Sequence, residues 1–246
     1  MADYQARKEK VTLFQKLHQE LAEIIESTPA GEKLKSEPEL AASLQVSRTT
    51  LREAMRSFES QGLIRRRQGV GTFVIEHSQN IETGLETLES IETQASRLGL
   101  DVKMGYLGIN RITAGKEYAA KMNVAEDDEV IEISRVIWVA DHPVAYLVDV
   151  LPEGVLSEED LEQGFTGSVL DLLIRKKDLH LSYSKTFISA CHAEASIAKK
   201  IQLQRSDVIQ RFDASLYEDS GRMIDYSISY FAPGFFKFHV NRKINI

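Results

Sequence analysis

Residues 36–74 read SEPELAASLQVSRTTLREAMRSFESQGLIRRRQGVGTFV and carry the strongest structural signal in the chain. Ser36, with Glu39 three positions later, predicts a capping box at the start of a short helix, and Pro38 is tolerated in its first turn. The helix breaks a few residues later, and Ser47 predicts the N-cap of a second helix. Two helices joined by so short a turn predict a helix-turn-helix.

The second helix of this pair has two faces of opposite character. Four apolar residues at helical spacing share a side that we expect to be buried: Leu51, Ala54, Met55 and Phe58. The opposite side carries Arg48, Thr49, Arg52 and Arg56. Arginine side chains form paired hydrogen bonds with guanine edges, and backbone amides at a helix start bind phosphate. This face therefore predicts a helix that enters the major groove of DNA, and Gly62 is expected to end it.

A two-stranded wing is predicted directly after this helix. Residues 63–67 have the composition of a strand, residues 68–71 that of a turn, and residues 72–75 that of a returning strand. Gly69 and Gly71 have no side chains, so the tip of the hairpin can approach a sugar-phosphate backbone closely. The helices and the hairpin together predict a DNA-binding domain.

This segment resembles the winged helix-turn-helix of GntR-family transcriptional regulators, above all in the blocks SRTTLREA and RRRQGVGTFV. The resemblance covers the chain from about Leu13 to Val74. The DNA contacts that it implies are Arg48, Thr50, Arg52, Gln68 and Gly69. Thr49 joins this candidate set because it lies on the same exposed face. Many members have Arg where this chain has Pro38, so one contact in the first helix of the motif is expected to be missing or moved.

Chain length and charge indicate the number of domains and how the basic residues must be arranged. Its 246 residues are enough for two domains of ordinary size. Residues 1–76 hold 12 Lys and Arg against 11 Asp and Glu, whereas residues 77–246 hold 18 against 26. The first segment is thus almost neutral, and its basic side chains must be clustered on one side if they are to attract phosphate.

The single cysteine and the lack of long apolar segments indicate where in the cell the protein is found. Cys191 cannot form an internal disulfide and suits a reducing cytoplasm. The charged start lacks the apolar core of a signal peptide, and no stretch reaches the roughly 20 apolar residues of a membrane span. We expect a cytoplasmic protein with no membrane partner.

A first helix is predicted upstream of the motif, because apolar residues recur at helical spacing before the break at residues 29–31. They are Leu13, Phe14, Leu17, Leu21, Ile24 and Ile25. After Ile75 the composition becomes short and polar, which predicts an interdomain linker. The expected organisation is a DNA-binding domain at residues 1–76, a linker at residues 77–84 and a second domain at residues 85–246.

The second domain is expected to be α+β, with a mostly antiparallel sheet and helices on one side of it. Turn signals at residues 140–143 and 218–221 predict that neighbouring strands run antiparallel. The predicted strands span residues 102–111, 130–139, 144–151, 179–190, 208–217, 223–231 and 235–242. The predicted helices span residues 92–98, 115–122, 157–162, 168–176 and 193–201.

That order of elements, with the blocks DEVIEISRVIWVADHPVAYLVDVLP and GRMIDYSISYFAPGFFKF, resembles the UTRA effector domain of the HutC branch of the GntR family. The resemblance spans residues from about 85 to 238 and implies the fold of chorismate lyase. It also implies a homodimer on a palindromic operator, and a small-molecule effector such as a sugar phosphate or another small anion. We therefore expect a metabolite-responsive regulator, a repressor that its effector releases from the operator.

Arg135 is the first of four effector contacts that the resemblance implies. It lies within an apolar strand, at a position matching an arginine that the branch uses for anionic ligands. Arginine suits bidentate capture of a phosphate or carboxylate. An ion pair between Arg135 and a neighbouring Glu132 or Asp149 at the sheet surface is the structural alternative.

The other three implied contacts are Ser90, Asp225 and Tyr230. Ser90 matches a segment that clasps the anion in sugar-phosphate-binding members. Glu89 and Glu92 flank it where hydroxyls are more usual, which argues against a phosphate and leaves a zwitterionic or uncharged ligand open. Asp225 matches an acidic residue that reads ligand hydroxyls, and Tyr230 a nearby tyrosine. Because alternate residues of a strand face opposite sides, we do not expect both to contact one ligand, and we rank Asp225 first.

We expect no catalytic residues, no metal ligands and no cofactor. The His-x-Glu at His192 lacks the Cys-x-x-Cys of a zinc deaminase, and no two histidines have metal-ligand spacing. The glycines near Gly69 lack the lysine and helix of a phosphate-binding loop. Two alternatives stay open at this point. The second domain could have lyase-like activity because of the shared fold, or the chain could be a constitutive DNA-binding dimer without an effector.

Overall fold

The computed structural model describes residues 2–60, 63–67, 69–74, 81–139, 142–163, 165, 167–203 and 207–243, with side chains from residue 15 onward except residue 60. It divides into two compact units, residues 1–80 and 81–246. The helices are α1 (Ala2–Ser27), α2 (Glu37–Ser43), α3 (Arg48–Ser60), α4 (Ile91–Arg97), α5 (Gly115–Met122), α6 (Glu158–Gln163), α7 (Val169–Arg175) and α8 (Ala195–Lys200). The strands are β1 (Ile64–Arg67), β2 (Gly71–Val74), β3 (Ile81–Gly84), β4 (Val102–Thr113), β5 (Glu129–Val139), β6 (His142–Pro152), β7 (Leu181–His192), β8 (Val208–Glu218), β9 (Met223–Phe231) and β10 (Phe236–His239).

The first unit has the predicted helix-turn-helix and hairpin. At the start of α2, the Ser36 amide donates to Glu39 Oε2 at 2.9 Å, and at the start of α3 the Thr50 amide donates to Ser47 Oγ at 3.1 Å. The hairpin pairs β1 with β2 antiparallel. The whole predicted inner face of α3 is buried in one apolar core with α1, α2 and β1. Several predictions fall on positions outside the described residues: the side chains of Leu13 and Phe14, Gly62, Gln68, the strand end at Ile75, linker residues 77–80 and turn residues 140 and 141.

The second unit is built on a six-stranded sheet with strand order β4-β5-β6-β9-β8-β7. Every neighbouring pair in this sheet is antiparallel, as predicted. The central strands β5, β6 and β9 are the most buried, whereas β4 and β7 form the two exposed edges. None of the helices within the described part of the chain is long and apolar enough to cross a membrane.

Helices cover both faces of this sheet, so the expectation of helices on one side was wrong. Alternate residues of β5 point to opposite faces. Ile131, Ile133 and Ile137 face α4, α7 and the β3–β10 pair, whereas Val130 and Val136 face α5 and α8. A central strand that is apolar on both sides is typical of a sheet covered twice, and the near-continuous apolar run of β5 carried that signal.

Residues 81–84, which we assigned to the linker, form strand β3 instead. This strand pairs parallel with β10, with Ile81 beside Phe236 and Thr83 beside Phe238. Ile81 and Thr83 are buried while Glu82 is exposed, which is the alternation of a strand with one inner face. The partner strand is at the other end of the unit's sequence, so local composition gave no sign of the pairing.

Candidate nucleic-acid interface and ligand cavity

The outer face of α3 is open to solvent. Arg48, Thr49, Arg52 and Arg56 are all exposed. Thr50 is half-buried, and its hydroxyl lies 2.8 Å from Ser47 Oγ, so it belongs to the cap of the helix as well as to its first turn. This face therefore presents guanidinium groups and a hydroxyl outward, as a helix that enters a groove of DNA requires.

One carboxylate connects this face to the wing. Glu37, at the start of α2, accepts a hydrogen bond from Arg52 Nε at 2.7 Å, and its other oxygen forms an ion pair with Arg66 on β1. The Arg52 side chain is still 56% exposed. Glu37 thus holds Arg52 in one orientation between the helix and the wing without burying it.

The tip of the wing depends on glycine. Gly69 has φ +75°, a conformation that other residues adopt at a cost, and it is exposed. Gly71 has φ +141°, and a Cβ there would lie 2.2 Å from Lys33 Cε. Arg65, Arg66 and Arg67 of β1 are exposed beside this tip. The described part of the first unit therefore carries basic side chains on both the helix and the wing.

The second unit contains a cavity of about 700 Å³, a size typical of small-molecule sites. Its floor is the sheet face made by β5, β6, β9, β8 and β7, and its walls come from the residue 83–94 segment, α7 and β10. Apolar side chains such as Leu147, Phe212 and Leu216 line part of it. It lies between two apolar clusters that pack on the same face.

The floor of this cavity is polar at its centre. Arg135 on β5, Asp149 on β6, and Asp225, Ser227 and Ser229 on β9 all line it. The three charged side chains are each less than 10% exposed. Burying charges on the inner face of a sheet costs free energy unless partners or a ligand compensate, so this patch has the character of a binding site.

Arg135 and Asp149 form a buried ion pair, joined through one guanidinium nitrogen and one carboxylate oxygen. Burial alone would lower the pKa of Arg135, but the charge of Asp149, and then that of Glu92, raises it. The pairing with Asp149 was one of the two structural alternatives. Glu132, the other, lies on the opposite face of β5, where it accepts a hydrogen bond from the Tyr118 hydroxyl.

Two further carboxyl groups at the cavity are compensated only in part, by the charge of Arg135 and by backbone hydrogen bonds. Burial, followed by the charge of Asp149, raises the pKa of Asp225 well above its ordinary value. Burial also raises the pKa of Glu92, and the positive charge of Arg135 offsets only part of that rise. Among the side chains that the structure describes, three buried polar atoms lack a hydrogen-bond partner: Glu92 Oε1, Arg135 Nε and Asp225 Oδ1. All three residues line this one cavity.

Ser90 lines the cavity, but its hydroxyl group already forms two hydrogen bonds within the protein. It is the N-cap of α4, where its hydroxyl oxygen accepts from the Thr93 amide at 3.0 Å. The same hydroxyl donates to Asp171 Oδ2 at 2.7 Å, which ties α4 to α7. Its hydrogen is therefore already used.

Tyr230 lies on the other face of β9, away from the cavity. Its ring stacks on Tyr146 with 6.2 Å between centroids, and the Arg211 guanidinium lies 5.6 Å above it. The structure thus brings together Ser90, Arg135 and Asp225 but not Tyr230. The alternation of β9, noted from the sequence, separates Asp225 from Tyr230 as expected.

Sequence reasoning missed the contribution of β7. Ser182, Ser184 and Thr186 line the cavity at its open edge. Three hydroxyl-bearing residues at every second position are a detectable pattern, since they share one face of a strand. The sequence predicts a strand over residues 179–190, to which we assigned no ligand contact.

Comparison with known protein families identifies both units. Residues 97–237, more than half of the chain, match the family model described as "UTRA domain", and residues 12–74 match "Bacterial regulatory proteins, gntR family". The chain belongs to the GntR family. It has the domain composition of the HutC branch and is a metabolite-responsive, DNA-binding transcriptional regulator.

Individual relatives of this GntR-family chain are consistent with the family assignment. It is 24% identical over 210 residues to the uncharacterized HTH-type transcriptional regulator YurK of Bacillus subtilis strain 168, covering 85% of this chain and 83% of that protein. It is 27% identical over 179 residues to the histidine utilization repressor of Pseudomonas aeruginosa, covering 73% and 70%. The crystal structure of PhnF from Mycobacterium smegmatis has the same fold, with a TM-score of 0.63 at 20% identity over 93% of this chain and 100% of that one. The names of the Bacillus subtilis and Pseudomonas aeruginosa relatives point to transcription regulation.

Proposed function

We propose that this regulator is a repressor that binds a two-fold symmetric operator as a homodimer and leaves it when a metabolite fills the cavity of the second unit. The observation that carries the proposal is the cavity itself, because three largely buried charged side chains, Arg135, Asp149 and Asp225, line one space of ligand size. The name of the Pseudomonas aeruginosa relative, a repressor, supports the sign of regulation. Binding to chromosomal DNA supports a cytoplasmic location.

In this proposal, α3 lies in the major groove. Arg48, Thr49 and Arg52 face the base edges, and Thr50 and the first turn of α3 face phosphate. Gly69 lets the wing tip approach the sugar-phosphate backbone, and Gln68, the preceding residue in the sequence, is proposed as a DNA contact from the family resemblance alone. Exposure of the arginines supports these roles, as does the ion pair with Glu37 that orients Arg52.

A second copy of the chain is proposed to pair along the edge strand β7. An unpaired edge strand offers backbone donors and acceptors to a partner strand, and soluble proteins usually protect such edges. Here the edge instead exposes Tyr183, Phe187 and Ile188, with Phe187 63% exposed. A repressor reading both halves of a palindrome needs such a contact, since two identical recognition helices must be held at a fixed spacing.

The same strand supports a mechanism for the effector. Successive residues of β7 point alternately to the cavity and away from it, so Ser184 and Thr186 face the ligand while the strand's open edge faces the partner. A ligand that binds one pairing geometry of β7 better than another shifts the population of dimers toward it. The shift in operator affinity is limited by the ligand's difference in affinity for the two geometries.

The test begins by selecting duplex DNA from a random library with the full chain, followed by binding titrations on the enriched sequence. The enriched sites should be palindromic, and Phe187→Asp should weaken both dimerisation and binding to the full site. Lys185→Glu, a charge change at a neighbouring position of the same strand, is the control for charge alone. Enrichment of a single asymmetric half-site, bound equally well by the Phe187→Asp variant, would remove the dimer from the proposal.

A further inference from the structure

A short stretch before α2 adds a third strand to the wing. Two backbone hydrogen bonds of 2.8 and 2.9 Å join residues 34 and 32 to β2, and Lys33 between them pairs antiparallel with Phe73. When such a pair is flanked by hydrogen bonds instead of forming them, its two side chains lie close together. Lys33 therefore comes from outside the helix-turn-helix and the hairpin, yet its backbone fixes it directly beside the wing.

Lys33 shares one face of this small sheet with two arginines of the hairpin. Arg65 lies opposite Phe73 on β2, and Arg67 lies opposite Gly71. Residues opposite each other in a sheet, and residues two apart on one strand, point to the same side. The other side of the hairpin packs into the core of the unit. These five residues therefore form the outer wing face, on the side away from that core.

Gly71 makes room for the Lys33 side chain. A Cβ at Gly71 would overlap Lys33 Cε and lie 2.9 Å from Lys33 Nζ. The lysine side chain thus runs from its place beside Phe73 across the bare backbone of Gly71, and its ammonium group lies over the tip of the wing. Val70, the tip residue before Gly71, is apolar and 55% exposed. The positive charge at this point of the wing is therefore supplied by Lys33.

Phe73 orients a second cation on the same face. The Arg67 guanidinium lies 5.1 Å from the centroid of the Phe73 ring, within the range of a cation–π interaction. Lys33, Arg65 and Arg67 are all exposed, and among the side chains that the structure describes none of them pairs with a carboxylate. Arg66, by contrast, is paired with Glu37. Three unpaired cations on one small face create a local positive potential, although the unit as a whole is almost neutral.

Resting on the proposed placement of α3 and the wing on DNA, we propose that the outer wing face binds the phosphate backbone of the duplex and that Lys33 is one of its contacts. Lys33 and Arg67 each neutralise one phosphate beside the wing tip. Contacts of this kind fix the position of a protein on the duplex and carry no sequence information, so base recognition stays with α3.

The size of the effect follows from the release of counter-ions. Neutralising one phosphate contributes about 0.9 to the steepness with which the logarithm of affinity falls with the logarithm of salt concentration. Lys33→Met should therefore reduce that slope by about 1 and weaken binding about eightfold at roughly 0.1 M salt. The loss should be the same on the operator and on random duplex. Methionine keeps an unbranched side chain that can still lie across Gly71.

The experiment titrates the full chain into a labelled random-sequence duplex at several salt concentrations and measures fluorescence anisotropy. Lys33→Met and Arg67→Met should each reduce the salt slope by about 1, and the double variant by about 2. Lys33→Arg keeps the charge and should restore the slope. Lys16→Met is the matched control, because it removes the same charge from an exposed position of α1 where Lys16 pairs with Glu20 at 3.6 Å. Its salt slope should stay that of the unaltered chain.

Three outcomes overturn the proposal. An unchanged slope in Lys33→Met removes the phosphate contact, and an equal reduction in Lys16→Met means that only overall charge matters. A slope lost in Lys33→Arg as well means that the lysine supports the shape of the wing, a role that circular dichroism of the helical first unit would also show. Random duplex does not depend on an operator, a dimer or an effector. Failure to find a palindromic site would therefore leave this contact standing, and an unchanged salt slope would leave effector release standing.

Discussion

Replacing Arg135 by methionine tests whether the buried ion pair holds the floor of the cavity together. Arg135 is 4% exposed and Asp149 is 7% exposed, so the variant leaves a buried carboxylate without its counter-ion. Removing one partner of a buried pair costs about 3–5 kcal/mol. The pair borders a cavity that admits water, so we expect the lower end, a loss of about 3 kcal/mol in the free energy of unfolding.

The assay is urea unfolding of the full chain followed by tryptophan fluorescence. The sequence contains one tryptophan, Trp138 on β5, so the signal reports the second unit alone. The double variant Arg135→Met/Asp149→Leu is the matched control, because it removes both charges and is expected to recover most of the loss. The reasoning is refuted if the double variant is as unstable as the single one, or if the single variant loses less than about 1 kcal/mol.

Three further predictions concern single side chains. Burial raises the pKa of Asp225, so the folded state keeps a proton at pH values above the unfolded pKa of about 3.9. The free energy of unfolding therefore falls as the pH rises above that value. In urea titrations at several pH values, Asp225→Asn should reduce this dependence. Gly69→Ala, at φ +75°, should cost about 1 kcal/mol in its unit and weaken operator binding, whereas Gly99→Ala, at φ +70° in the other unit, should leave operator affinity unchanged. Arg52→Ala should weaken specific operator binding by about 1–3 kcal/mol and relax sequence preference. Arg56→Ala should instead weaken all sequences alike, and an unaltered preference in the Arg52 variant would take that residue out of base reading.

Elements with local signals were predictable from the sequence. The caps at Ser36 and Ser47 and the inner face of α3 depend on residues three or four apart, and the structure has them where the spacing predicted. The antiparallel order of β5–β6 and β8–β9 followed from turn residues between adjacent strands. The separation of Asp225 from Tyr230 followed from the two-residue repeat of a strand.

Features that depend on distant partners were not predictable. β3 pairs with β10 from the far end of the unit, and Ser90 donates to Asp171 on another helix. Nothing near either residue in the sequence indicates these partners, and a linker and a free hydroxyl were the natural expectations. Whether Arg135 would pair with Asp149 or meet a ligand was open for the same reason. It does the first, and its Nε has no hydrogen-bond partner among the described residues.

Glu37 has a consequence for how the regulator searches a chromosome. One carboxylate pairs with both Arg52 and Arg66, so its single negative charge offsets one of the two positive charges that these residues bring to the helix and wing. Non-specific attraction to DNA comes from counter-ions released by unpaired cations, so this surface holds random sequence less tightly than its arginine content implies. We therefore expect the regulator to spend less time on non-specific DNA. Its residence time on the operator then depends mainly on the few contacts that recognise the correct bases.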